Sequence, residues 1–294
     1  MKIPQVLLDW RSRLAARLGY AREPTTVAEL RPLLSDEDPD VRATAVAKLA
    51  AMSEEAAEAI AELRRALNDS HQHVRQSAAE ALGRLGPAAK TAAVGLRQAL
   101  RDRSEQVRWA AAEALGRIGP EAIGELRKAL GDQEEHVRLS AAEILGRMGA
   151  AAKDAVAELR KILSDTNASV RAAAAVALGE VGPAGKEAVL DLRRALCDQE
   201  EKVRTAAMEA LVRAGPEAVI ELRKALRIRE PKVRAAAATA LGRLGPAATS
   251  AVSDLRRSLC DPDGDVRWAA AAALGGIGPG AVAELRNALG SSDR

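Results

Sequence analysis

The stretch DRSEQVRWAAAEALGRIGPEAIGELRKAL, residues 102–130, decides the fold. Val107, Ala111, Ala114, Leu115 and Ile118 recur at the spacing of one helical face. Gly119-Pro120 then breaks the pattern, since Gly ends helices and Pro is tolerated in the first turn of the next. Ile123, Leu126 and Leu130 lay down a second apolar face, and Asp132 closes it before Val137-Arg138 restarts the motif. The stretch therefore reads as a pair of helices joined at a Gly-Pro break.

The same unit recurs along the chain. Val-Arg places its Arg at positions 42, 75, 108, 138, 171, 204, 234 and 267, with spacings of 33 or 30 residues. Periods of this size mark a stacked array of supersecondary units. Arg42, Arg138 and Arg234 lie 96 apart, as do Arg75, Arg171 and Arg267, so a three-unit block is itself repeated. Gly-Pro recurs at 86–87, 119–120, 182–183, 215–216, 245–246 and 278–279, with Ala150 in place of Pro after Gly149. The 30-residue units run from Gly-Pro-Glu straight into the second apolar face (Glu121, Glu217), so three residues separate the forms. The expectation is one extra turn of α-helix, about 4.5 Å. Asp stands six residues before the Arg at 36, 69, 102, 132, 165, 198 and 261, and only Ile228 departs. An Asp in each turn and an Arg at each helix start predict a ladder of charge-assisted bonds within and between repeats.

Composition agrees. The 294 residues contain no Phe, one Tyr (Tyr20) and three Trp (Trp10, Trp109, Trp268). Ala, Leu, Arg and Glu dominate, which favours helix over strand. Ala buries little area, so helices must approach closely and sum many small contacts. The 44 basic and 41 acidic residues are interspersed and give a net charge of +3, a weak signal for polyanions. No apolar run has the length of a membrane span, and Asp9, Trp10, Arg11 and Arg13 interrupt the first apolar segment, which argues against a secretory signal. Two Cys (Cys197, Cys260) make no disulfide framework, and a cytoplasmic location is the default expectation. Of the three His (His71, His73, His136), His73 and His136 lie two repeats apart, as do Cys197 and Cys260, so no metal, cofactor or catalytic group is expected.

The motif Asp-x-x-x-x-Val-Arg-x-x-Ala-Ala-x-Ala-Leu-Gly-x-Ile-Gly, as in Asp102 to Gly119, resembles the HEAT repeat, in particular its short PBS-lyase HEAT-like variant. The resemblance covers roughly residues 25–290 in eight copies. It implies an all-α, right-handed α-solenoid of about eight helix pairs, with the Val-Arg helix lining a concave surface and the other helix outside. The expected organisation is an N-terminal capping helix in 1–24 (Pro4 to Leu18), the solenoid over 25–290 and a disordered tail at 291–294. Thr26 to Leu34 reads as the first outer helix and Val282 to Leu289 as a lone outer helix at the far end. HEAT-type hydroxylases hold iron through His-Glu dipeptides; here Gln72, Val74 and Val137 follow the three His, which argues against that activity.

With the Val-Arg helices facing inward, the positions one, five and nine after each Arg form an exposed stripe. It includes Gln76, Glu80 and Arg84; Trp109, Glu113 and Arg117; Leu139, Glu143 and Arg147; then Val176, Thr205 and Trp268. Glu four residues before Arg forms either solubilising i,i+4 pairs or a polar groove that selects a charged partner. Each Trp either fills space left by Ala or is a binding hot spot. The expected role is a monomeric, non-enzymatic scaffold or adaptor binding a protein or peptide. A bilin-lyase-like subunit, implied by the resemblance, a nucleic-acid-binding protein and an engineered repeat scaffold remain open alternatives.

Overall fold

The computed structural model describes residues 24, 26–52 and 58–283, and every regular element among them is helical. The expected cap at Pro4–Leu18, the tail 291–294 and the end of the expected helix Val282–Leu289 lie outside the described residues. The chain forms two compact units, residues 1–129 and 130–294. The first contains α1 (Val27–Leu30), α2 (Pro39–Ala51), α3 (Ile60–Ala66), α4 (Gln72–Leu85), α5 (Ala93–Ala99), α6 (Glu105–Ile118) and α7 (Ile123–Ala129). The second contains α8 (Glu135–Met148), α9 (Val156–Ile162), α10 (Ala168–Glu180), α11 (Val189–Ala195), α12 (Glu201–Ala214), α13 (Val219–Ala225), α14 (Pro231–Leu244), α15 (Val252–Ser258) and α16 (Gly264–Ile277). The even-numbered helices are the long Val-Arg helices and the odd-numbered ones their short partners. No helix among the described residues is long and apolar enough to cross a membrane.

Within each unit the long helices pack side by side and the short helices lie against them. In α6, Val107, Ala111, Ala114, Leu115 and Ile118 are buried as their spacing predicts, and Ala110 joins them. Each short helix from α3 to α15 buries one Leu almost completely: Leu63, Leu96, Leu126, Leu159, Leu192, Leu222 and Leu255. Close approach compensates for the thin Ala core. A Cβ built on Gly83, Gly146, Gly179 or Gly242 would stand 3.0, 3.3, 2.9 or 2.6 Å from the Cα of Ala114, Ala177, Ala210 or Ala273 on the next long helix. The Ala-Leu-Gly signature is thus a helix-to-helix contact.

The break between long and short helices differs from expectation. Thr26–Leu34 is not one helix. Thr26 and Glu29 form a capping box on α1, and a 3₁₀ turn over Pro32–Ser35 follows, because Pro lacks the N–H that would continue an α-helix. In later repeats a 3₁₀ segment instead precedes the short helix. It spans four residues in the 30-residue units (Gly119–Ala122, Gly215–Ala218) and seven in the longer ones (as in Gly86–Ala92). The short α-helix is seven residues in both forms. The three additional residues therefore lie in the break and not in the short α-helix, and the longer break bends at its middle, as at Ala89 (φ −85°, ψ 17°). The short helix keeps its Leu buried in both forms, Leu96 after the longer break and Leu126 after the shorter one. The break depends on Gly more than on Pro. Gly149 keeps a positive φ of 55° although Ala150 follows it, matching Gly86 at 55°.

The charge ladder is present, and its geometry is uniform. Arg138 donates through Nη1 to the carbonyls of Asp132 and Gln133 at 2.8 Å each, inside its own turn. Its Nε and Nη2 grip Asp165 of the next repeat at 2.6 and 2.9 Å. Arg42–Asp69, Arg75–Asp102, Arg171–Asp198 and Arg234–Asp261 repeat this fork at 2.7 Å from Nε. Each Asp also accepts the backbone N–H two residues on, as from Asn167 to Asp165 at 2.9 Å. A second ladder, not foreseen from the sequence, ties the short helices. Arg31–Glu62, Arg97–Glu125, Arg160–Asp191, Arg193–Glu221 and Arg223–Asp254 pair across repeats at 2.6 to 2.8 Å. Its signature is the recurring acid-Leu-Arg triplet around the buried Leu.

Two predictions follow from this packing. Gly179→Ala inserts a methyl against the Ala210 backbone and lowers stability by about 1–3 kcal/mol. Gly124→Ala, where nothing lies within 4 Å, raises it by about 0.4–1 kcal/mol. Urea unfolding of both variants checks the opposite signs. Burial raises the Asp165 carboxyl, but the hydrogen bonds from Arg138 and the Asn167 N–H outweigh it and hold it below the usual range. At Asp198 the Arg171 hydrogen bond leads and the result is the same. The unfolded chain thus binds more protons in acid, so this stabilisation is complete above the ordinary carboxylate value of about 4 and is lost as pH falls through the folded values. The expected melting temperature is flat between about pH 7 and 5 and falls below about pH 4. Asp165→Asn starts about 1–3 kcal/mol less stable and falls less steeply.

Candidate functional site

The long helices of each unit present the residues expected to form the stripe, and they gather in separate places. In the first unit, Glu80, Arg84, Trp109, Glu113 and Arg117 surround a hollow of 150 Å³ between α4 and α6, floored by Gly83, Ala110 and Ala114. Gln76 donates from Nε2 to Glu80 Oε1 at 2.9 Å. Arg117 pairs with Glu113 at 3.2 Å, one turn away on the same helix. Trp109 is 66% exposed. It does not fill space left by Ala.

In the second unit a trough of 1240 Å³ runs across α8, α10 and α12. Leu139, Glu143, Arg147, Val176 and Thr205 line it together, with Ala172 and Ala173 as an apolar floor. Gly146 and Gly179 also line it; having no side chain, they keep the floor low where neighbouring helices touch. Val176 is 46% exposed although apolar. Trp268 lies outside this trough, on α16, and is 75% exposed.

In the second unit two ion pairs of this face cross between repeats, whereas Arg117–Glu113 in the first closes i,i+4. Glu209 does not take Arg213 on its own helix. It takes Arg243 of the next repeat, with Nη2 to Oε2 at 2.8 Å, and Arg213 reaches back to Glu180. The hydrogen bond from Arg243 holds the Glu209 carboxyl below its usual range. Arg213 spans a joint where Gly179 brings the helices close, whereas Arg243 spans the joint between α12 and α14, which carries Val212 in place of that Gly. The sequence reading missed this cross-repeat pairing, since residues 34 apart look unrelated until the helices are stacked.

The other reactive side chains make no site. Cys197 and Cys260 are free and exposed, and partial burial raises the Cys197 thiol. The His71 and His73 rings lie 5.3 Å apart, centre to centre. Among the described residues no group of three or more His, Cys, Asp or Glu is gathered to hold a metal ion. Val94, Leu190 and Ile220, each second in its short helix, are exposed apolar residues that the stripe argument overlooked. Their signal is an apolar residue beside the Ala or Val that begins the buried face.

The family model for HEAT repeats matches residues 27–95, 93–167, 156–228 and 219–294. No curated protein sequence matches the chain. Among solved structures, importin beta is similar with a TM-score of 0.57 at 18% identity, over 85% of this chain and 40% of that one. Kap121p is similar with a TM-score of 0.61 at 16% identity, over 91% of this chain and 35% of that one. The karyopherin Kap121p bound to the extreme C-terminus of the protein phosphatase Cdc14p also gives 0.61 at 16% identity, over 90% and 35%. The chain therefore spans 40% or less of these proteins' own length. At such identities the likeness is one of fold, an all-α helical-repeat solenoid.

The exposure of the tryptophans gives a prediction. Trp109→Ala and Trp268→Ala together change the unfolding free energy by no more than about 0.5 kcal/mol each, as expected for surface positions. A chemical denaturation curve followed by far-UV circular dichroism checks this; a loss of several kcal/mol would show that the rings are structural.

Proposed function

The chain belongs to the HEAT-repeat family, and we propose that it is a non-catalytic scaffold holding a protein or peptide segment against the face built by its long helices. We read its units as the short PBS-lyase-type variant, on the Asp102–Gly119 motif. The observation that carries the functional reading is the trough across α8, α10 and α12. Its apolar floor (Leu139, Ala172, Ala173, Val176) lies open, while Glu and Arg side chains stand around it. A segment laid there buries apolar side chains centrally and keeps polar contacts at the rim, the anatomy of a protein interface. The exposed Trp109 and Trp268 are the residue type most enriched at binding hot spots. Kap121p, which shares the fold, is found with the extreme C-terminus of another protein bound.

A polyanion is a poorer occupant. The arginines of this face spend their charge on carboxylates, as in Arg213–Glu180, Arg243–Glu209 and Arg117–Glu113. Nucleic-acid affinity requires basic groups free to displace counterions from phosphates.

The test is affinity capture with the immobilised chain against the Val176→Glu variant, and separately against Trp109→Ala/Trp268→Ala. The expected outcome is a protein retained by the parent and weakened about tenfold or more when a charge is placed in the apolar floor. A partner held equally by all three proteins would remove the long-helix face as the binding surface.

A further inference from the structure

One joint in the second unit departs from the others in two respects at once. Arg204 donates through Nη1 to the carbonyls of Asp198 and Gln199 at 2.8 and 2.6 Å, so its guanidinium is anchored in its own turn like those of Arg138 and Arg171. In those repeats the outer edge of the fork, Nε and Nη2, holds the Asp of the next turn. Here that position is Ile228, which offers no carboxylate, and the hydrogen bonds of Arg204 are those of Nη1 in its own turn. On the same helix Val212 replaces the Gly that in α4, α8, α10 and α14 lets the next long helix approach. α12 and α14 accordingly meet less extensively than the other neighbouring long helices within a unit. A cleft of 1000 Å³ opens between them, and Arg204 lines it.

The rest of the cleft constrains its ligand. Asp198 is committed to Arg171, and Asp263 accepts the N–H groups of Asp265 and Val266 at the start of α16. Glu201, Glu230 and Asp265 add exposed negative charge, against Lys232 alone beside Arg204. A ligand that was only anionic would be repelled by this rim. One that was only cationic would leave the half-buried guanidinium edge unsatisfied. The cleft adjoins the trough, because Glu201 and Thr205 line both.

We propose that Arg204 is a receptor for a carboxylate side chain on an extended peptide segment, with Lys or Arg residues flanking that carboxylate and facing Glu230, Asp263 and Asp265. The ligand's carboxylate takes the place that Asp occupies in the other repeats, forming the same two-bonded fork. For the kind of ligand, this rests on the reading of the long-helix face as a protein-binding surface; its test is separate.

The probe is the blocked peptide acetyl-Lys-Ala-Glu-Ala-Lys-amide, with its Gln counterpart as control. The Arg204 Nε–H signal of the intact protein, assigned by its loss in Arg204→Gln, is followed by NMR during titration. The expected result is a saturable shift with the Glu peptide, weakened about tenfold or more with the Gln peptide. Ile228→Asp supplies the missing carboxylate in cis. That variant should melt no lower than the parent and lose the response to the peptide. Equal responses to the two peptides, no saturable shift, or an undiminished response in Ile228→Asp would each overturn the proposal. None of these outcomes alters whether Val176→Glu releases a captured partner, so the two readings fail independently.

Discussion

The arginine fork that ties Arg42, Arg75, Arg138, Arg171 and Arg234 to the Asp of the following repeat is the interaction on which the stacking within each unit depends. One guanidinium satisfies its own turn through Nη1 and the next repeat's Asp through Nε and Nη2, while that Asp caps its own turn by accepting a backbone N–H. Local turn geometry and inter-repeat spacing are thereby set by one side-chain pair. A partly buried arginine would be costly if its donors were left unmade; at these five joints Nε, Nη1 and Nη2 all find acceptors. The short-helix ladder does the same work on the other layer, so both helices of a repeat are tied to their neighbours at a fixed distance.

That distance is short because neighbouring long helices meet at Gly and Ala, while the larger Leu side chains are buried elsewhere in the core. A Leu-rich stack would gain more apolar area per residue, but its helices would stand farther apart and the forks would not reach. Here Gly146 and Gly179 bring backbones into contact, and many small contacts replace a few large ones. The same economy shapes the candidate binding face. Small residues lower the floor of the trough, and the exposed side chains Leu139, Val176 and Thr205 stand along it without being needed for the core.

Most of the fold was legible in the sequence because it is periodic. Val-Arg, Gly-Pro and the preceding Asp fix the repeat length, the helix break and the inter-repeat bond, and each corresponds to a local geometry that a few residues determine. The 3₁₀ turn was not legible, since three residues inserted before an apolar face suit either helix type until the backbone is seen. The site was less legible than the fold. The stripe rule named Leu139, Glu143, Arg147, Val176 and Thr205, which do line one trough, because position on a helix face follows from spacing alone. It did not foresee that Arg213 reaches Glu180 and Glu209 takes Arg243, because rotamers across a helix-helix contact depend on interaxial distance. It also had no means to weigh Val212, whose effect lies in what it prevents.

The 3₁₀ segments carry an evolutionary consequence. The four-residue break Gly119–Ala122 and the seven-residue break Gly86–Ala92, which bends at Ala89, both deliver the following short helix with its Leu in the core, Leu126 and Leu96. A three-residue change in length is therefore absorbed in the joint, and neither helix has to accommodate it. The alternation of 30- and 33-residue repeats, itself recurring every 96 residues, is the record of one such step copied along the chain.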